Sequence, residues 1–178
     1  VMVATPNHLH AEQTILALEA GKHVLCTKPM ATTLADADRM IAQSRRSGTK
    51  LEIGFQFRYD PRIFTAKRLM DRGMLGRIFL GIDCLPIYRG PEYWREAPWR
   101  GMVSEAGGGL LPTHASHDLD YLQWFFGPVD WAMGRADTMV QDIEVEDSVS
   151  ATLKFKSRTI VSLVGTTAAL ASKSPRFE

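Results

Sequence analysis

The chain has 178 residues, 45% hydrophobic and 23% charged, which suits a folded chain of one domain or two partial ones and excludes a disordered one. Lys and Arg number 21 against 20 Asp and Glu, so charge gives no reason to expect nucleic acid or an acidic membrane as partner. No apolar run is long enough to span a bilayer. The two cysteines, Cys26 and Cys84, have no metal-type spacing, and their number suggests no disulfide scaffold. A cytoplasmic setting is the default expectation.

Residues 1–4 read as a buried strand. Residues 8–20 carry apolar positions at Ala11, Ile15 and Leu18, a helical spacing, with Gly21 where a helix ends. Residues 23–26 form a second strand. Thr33 opens a second helix with Asp36 three residues on as a capping-box variant, and Ala37, Met40, Ile41 and Ser44 share one face. Gly48 ends it, and residues 51–57 form a third strand. Strand and helix alternating at these lengths imply parallel pairing with right-handed crossovers, half of a doubly wound, Rossmann-like sheet. A helix over 61–72 follows, closed by Gly73, and a strand over 77–84. Residues 85–106 form a long connection rich in aromatics, including Tyr88, Tyr93, Trp94 and Trp99. A loop that long is usually functional. Gly107, Gly108 and Gly109 lead into a helix around 114–126, ended by Gly127 and Pro128. Strands near 129–138, 145–155 and 159–167 complete the chain, the last two joined by a hairpin at Lys156-Ser157-Arg158. The fold expected is α/β over residues 1–60, the C-terminal half of a dinucleotide-binding domain. Residues 61–178 are then the first part of an α+β domain with a mostly antiparallel sheet.

Ligands of a parallel sheet lie at the carboxyl ends of its strands. Here those ends carry Thr5-Pro6-Asn7, Thr27-Lys28-Pro29 and Gln56-Phe57-Arg58. Lys28 is pinned by a proline that restricts the residue before it to extended geometry, so it leaves the strand in a fixed direction. Lys-Pro is also a place where a cis bond is affordable. A second cluster runs from Thr113 to Asp120. His114 and His117 are three apart, on roughly one helical face. Three uses are open: a metal site completed by Asp118 or Asp120, a helix cap or pairing with a neighbouring aspartate, or an acid–base group facing a substrate. The last fits an ordinary histidine pKa near ~6.5. The best-known helical zinc pairs are spaced by four, and no cysteine lies nearby. No Gly-x-Gly-x-x-Gly occurs, and no serine or cysteine sits in a nucleophile elbow.

Taken together, these segments resemble the Gfo/Idh/MocA family of NAD(P)-dependent oxidoreductases. The likeness is carried by Ala4-Thr5-Pro6-Asn7-His8-Leu9-His10, by residues 20–29, by residues 54–61 and by residues 73–78. Trp99-Arg100 and the stretch from Gly107 through His117 to Asp120 complete the series, in order and at matching spacing. The resemblance implies NAD or NADP as cofactor and a carbinol of a sugar, inositol or ring diol as substrate. It maps the lysine of the family's Glu-Lys-Pro motif to Lys28 and the histidine of its Asp-x-x-x-His motif to His117, the expected catalytic pair. Thr5, Pro6, Asn7, His10, Thr27, Lys28, Gln56 and Arg100 are expected to border the cofactor. Arg58, Trp99, Thr113 and His114 are expected near the substrate. A homo-oligomer built through the second domain's sheet is expected. Two departures stand out: Thr27 replaces the motif glutamate and Thr113 the motif aspartate. The family's glycine-rich loop would precede residue 1, so the chain reads as a fragment. A non-catalytic binding protein or an inactive gene fragment of the same fold is the alternative.

Overall fold

Glycines and capping residues punctuate the first third of the chain into short elements. The computed structural model describes residues 1–170 and 176–177. Strands β1 (Met2–Val3), β2 (Val24–Thr27) and β3 (Leu51–Gly54) form a parallel sheet in the order β1-β2-β3. Helices α1 (His10–Glu19) and α2 (Leu34–Ser47) make the crossovers. The Thr33 hydroxyl accepts from the Asp36 N–H at 3.1 Å and donates to the Asp36 carboxylate at 2.8 Å, which starts α2. Gly48 stops it in the left-handed conformation, φ 66°. Val3, Leu18, Val24, Cys26 and Met40 fill the core beneath.

Two local expectations need correction. The buried stripe of α2 runs through Met40 and Gln43, while Ile41 is exposed. Gln43 tolerates burial because its amide oxygen accepts from Arg46. The third strand ends at Gly54 rather than at residue 57. There the Phe55 N–H donates to the Ile53 carbonyl at 2.8 Å, and the chain turns into a 3₁₀ segment, Gln56–Tyr59.

Asp60 caps α3 (Pro61–Asp71), accepting from the Arg62 N–H at 2.8 Å, with proline at the first helical position. Next come β4 (Leu80–Pro86), α4 (Pro91–Glu96), the 3₁₀ turn Pro98–Gly101 and α5 (Val103–Ala106). The aromatic-rich connection is thus built of short helices. A π-helical turn, Leu111–Ala115, runs into α6 (Ser116–Phe126). Then follow β5 (Val129–Asp137), β6 (Ser148–Phe155), β7 (Ile160–Thr166) and β8 (Arg176–Phe177). These strands and β4 form a second sheet in the order β5-β6-β7-β4-β8. β5, β6 and β7 are antiparallel, whereas β4 runs parallel to β7, so the sheet is mixed. β6 begins three residues later than the pattern implies. Asp147 accepts from the N–H groups of Met139, Val140 and Gln141 at 2.9, 2.8 and 2.8 Å, which gathers the preceding residues into a loop.

The second sheet has two unlike faces. Val149, Leu153, Val161 and Leu163 point inward and pack with Leu110, Tyr121 and Leu122. On the outer face Trp131, Met133, Ile160, Leu80 and Ile82 are exposed, Met133 by 71%. In the register Lys154 stands between Trp131 and Ile160, and Thr152 and Ser162 stand between Met133 and Ile82.

One inward position is charged. Asp83 is 1% exposed, and neither carboxyl oxygen has a hydrogen-bond partner among the described residues. Burial, then the Asp118 charge, pushes its pKa up to about 8; burial pushes Asp118, which accepts from the Tyr121 hydroxyl, up to about 6. Both values exceed the ordinary carboxylate range near ~3.9. The folded state therefore holds protons that the unfolded chain releases. The stability this contributes is present below about pH 4 and is lost as pH rises toward 8. We expect Asp83→Asn to remove that alkaline loss: the variant should gain on the order of 5 kcal/mol on wild type at pH 9 and little at pH 4. Urea melts at the two pH values test this, and equal shifts at both would show that Asp83 is ionised in the fold.

Candidate active site

The polar ends of the parallel strands meet the π-helical turn and α6 of the second sheet. Lys28 follows β2, its bond to Pro29 is cis, and its ammonium donates to the Thr113 carbonyl. Burial, then the charge of Arg89, holds its pKa below the usual lysine range. A desolvated ammonium has one donor committed and two left.

His117 stands in the first turn of α6 and is buried, 6% exposed. Phe57 stacks on its ring at 4.3 Å, and Phe55 meets it edge-on at 6.0 Å. Its Nδ1 is buried without a partner among the described residues. Burial, then Lys28, lowers its pKa to about 4, with Asp120 opposing. His117 is therefore neutral at pH 7 and able to accept a proton. The Lys28 charge is thus one of the causes that keep His117 from taking up a proton. His114 has a buried Nε2 without a partner, and burial with the surrounding cations lowers its pKa to about 3.

Other expected site residues are occupied by structural contacts. Asn7 is buried and donates to the Ala106 carbonyl at 2.9 Å, tying the first sheet to α5. His10 is buried, its ring nitrogens 2.8 Å from the carbonyls of Pro29 and Thr5. Thr5 donates to Gln13 at 2.8 Å. The Thr27 hydroxyl lies 3.5 Å from His10. Pro6 precedes the short Asn7–Leu9 turn, and Gln56 is exposed. Arg58 grips Asp120 through two bonds of 2.6 Å, and its guanidinium lies 5.3 Å over Trp124. Trp99 lies 5.7 Å from the Arg100 guanidinium. The Thr113 hydroxyl donates to the Gly108 carbonyl at 3.4 Å. Thr113 thus meets Lys28 with its backbone oxygen rather than with its side chain.

Two contributors were missed from sequence. Glu146 accepts from the N–H groups of Gly109 and Leu111 at 2.8 and 2.9 Å, which anchors the start of the π-helical turn. Arg89 lies over the Tyr93 ring. Neither belongs to a local pattern; Arg89 sits within the aromatic-rich connection, which was the only signal. The Asp118 carboxylate accepts from the Tyr121 hydroxyl. Among the described residues no three His, Cys, Asp or Glu side chains converge to hold an ion.

A parallel β-α-β-α-β sheet, with a half-buried lysine at one strand end and a buried histidine on the helix α6 that follows, defines a Rossmann-type α/β protein. Residues 1–55 match the model for the oxidoreductase family with NAD-binding Rossmann fold, and residues 63–178 that for the GFO/IDH/MocA C-terminal domain. The chain belongs to the Gfo/Idh/MocA oxidoreductase family. It is 35% identical over 134 residues to the levoglucosan dehydrogenase of Pseudarthrobacter phenanthrenivorans, covering 71% of this chain and 33% of that protein. It is 33% identical over 162 residues to the 1,5-anhydro-D-fructose reductase of Ensifer adhaerens, covering 90% and 48%. The WlbA dehydrogenase from Bordetella pertussis, solved with NADH and UDP-GlcNAcA, superposes with a TM-score of 0.93 at 32% identity. That match covers 97% of this chain and 50% of the other. The chain thus spans a third to a half of these relatives. Among the described residues no helix is long and apolar enough to cross a membrane.

Proposed function

We propose that this chain carries the reacting centre of an NAD(P)-dependent oxidoreductase acting on a carbinol of a sugar, inositol or ring diol. The observation that carries the reading is the unpartnered, buried Nδ1 of a neutral His117 beside the desolvated Lys28. His117 takes the proton of the substrate hydroxyl. Lys28 turns a free N–H toward that oxygen and stabilises the negative charge developing on it. The nicotinamide, when bound, supplies or accepts the hydride. Residues 1–60 form the cofactor half and residues 61–178 the substrate half. Thr5, Pro6, Thr27 and Gln56 border the cofactor, with Asn7 and His10 holding the strand-end loops in shape. Trp99 and His114 border the substrate, and Arg58 orients α6 through Asp120. The two orphaned histidine nitrogens fit this use, since a bound ligand would satisfy them.

The apolar side chains exposed on the outer face of the second sheet support assembly with a second copy of the chain, since exposed apolar surface is a common mark of an interface. The free cysteines suit a reducing, cytoplasmic compartment. To test the activity, the full gene product is incubated with NAD⁺ or NADP⁺ and a panel of sugars, inositols and ring diols, following absorbance of the reduced nicotinamide. Turnover with one class is expected, and its abolition in His117→Ala should follow. Nicotinamide reduction that persists in His117→Ala would overturn the assignment of the base.

A further inference from the structure

Three cations gather around His114, and among the described residues none has a carboxylate partner. Arg89 places its guanidinium 4.9 Å over the Tyr93 ring, and Arg100 lies 4.2 Å over the same ring. That ring is 6.2 Å from the His114 ring, and His114 follows the carbonyl that receives Lys28. The ion pairs elsewhere are different in kind: Arg58 has Asp120, Arg62 has Asp60, and Arg39 has both Glu12 and Asp36. Arg100 donates to the Tyr93 carbonyl at 3.1 Å, and Arg89 makes a 3.3 Å contact to the carbonyl of Tyr88. The remaining donors are uncommitted, and the Arg89 Nε is buried without a partner. The same unpaired charge is felt next door, where Arg89 helps to lower the pKa of both Lys28 and His114.

Like charges drawn together without a counterion are costly to fold, and stability alone would favour an acidic residue among them. Both guanidinium groups lie over the Tyr93 ring, a cation–π contact that uses none of their N–H donors. A planar fork of N–H groups matches the paired oxygens of a carboxylate or phosphoryl group. We propose that the substrate of this site carries such an oxyanion, bound by Arg89 and Arg100 while its carbinol meets Lys28 and His117. This rests on the hydride-transfer reading above and adds the charge of the substrate to it.

The test is titration calorimetry on the full gene product saturated with NADH, using D-glucuronate, D-glucose 6-phosphate and D-glucose as probes. At least one anion should bind about 10–100-fold more tightly than glucose, the range of charge-assisted hydrogen bonds. Preference for glucuronate assigns the site to carboxylates, and preference for glucose 6-phosphate to phosphoryl groups. In the Arg89→Gln/Arg100→Gln double variant the anion should fall to the affinity of glucose. Glucose affinity should fall far less than anion affinity, and the melting temperature should hold or rise, since two unpaired charges are removed. Arg89→Lys, which keeps the charge and loses the fork, should restore only part of the preference. Equal binding of glucose and both anions, binding of none of the three, or a preference that survives the double substitution would each overturn the proposal. So would a matching loss of NADH affinity, which would assign the arginines to the cofactor. The two readings fail separately. Oxidation of neutral polyols with no preference for their anionic counterparts overturns the oxyanion and leaves hydride transfer standing. Selective anion binding with no nicotinamide reduction from any uronate or sugar phosphate does the reverse.

Discussion

Lys28→Met in the full gene product is expected to lower kcat by about 10²–10³-fold, the usual cost of removing one donor to a developing oxyanion. Methionine keeps most of the aliphatic length and loses the ammonium. The effect should fall on kcat with little change in cofactor affinity, because charge on the substrate oxygen exists only as its proton leaves. Folding should change little. The ammonium is already partly desolvated, which offsets what its single bond to the Thr113 carbonyl contributes. A second readout is independent of rate. Lys28 is one cause of the low His117 pKa, so its removal should raise that pKa from about 4 toward the ordinary histidine value. The acid limb of the pH–rate profile should move to higher pH accordingly. Steady-state kinetics against pH, beside a thermal melt, separate these effects. An unchanged kcat would remove Lys28 from the chemistry; a lowered kcat with an unmoved acid limb would mean that Lys28 and His117 do not share one site.

The parts of this fold legible in sequence were those specified locally. Thr33, Asp36 and Gly48 bound α2 because a cap and a left-handed glycine act within a few residues. The apolar alternation of β6 and β7 sorts residues to inner and outer faces because strand side chains alternate. The resemblance drew attention to Lys28 and His117 through short motifs. What was illegible depends on distance along the chain. The parallel pairing of β4 with β7 joins segments about 80 residues apart, and no turn signal announces it. Arg58 reads as a free strand-end cation until Asp120, 62 residues on, is seen to hold it. Asp83 lies in an apolar run and gives no sign that Asp118 and Tyr121 will be its neighbours. Thr113 reads as a lost carboxylate, and only the backbone path shows that its carbonyl meets the lysine instead.

Gly109→Ala is expected to be the most destabilising single methyl that can be added near the site. A Cβ at Gly109 would overlap the Glu146 carbonyl oxygen and stand 2.9 Å from a Val145 methyl. The first of these is backbone and cannot rotate aside. Residue 146 also receives three consecutive N–H groups: its carboxylate takes those of Gly109 and Leu111, and its carbonyl takes that of Leu110 at 2.9 Å. Relief of the clash must therefore separate residues 109–111 from residue 146 and weaken several of these bonds at once. Overpacking together with partly buried, unsatisfied N–H groups sets the cost at about 3–5 kcal/mol. Gly21→Ala supplies the comparison. Its φ is 69° and nothing lies within 4 Å of the added methyl, so only backbone strain is introduced, about 1 kcal/mol. Urea denaturation of the two variants should rank Gly109→Ala well above Gly21→Ala. The chain from Gly109 runs straight into the π-helical turn that presents the Thr113 carbonyl and His114, and then into α6 with His117. The fraction of Gly109→Ala that remains folded should consequently lose kcat as well, whereas folded Gly21→Ala should keep it. Equal destabilisation of the two variants would mean that residues 109 and 146 can part without cost, and that the close approach does not position the histidines.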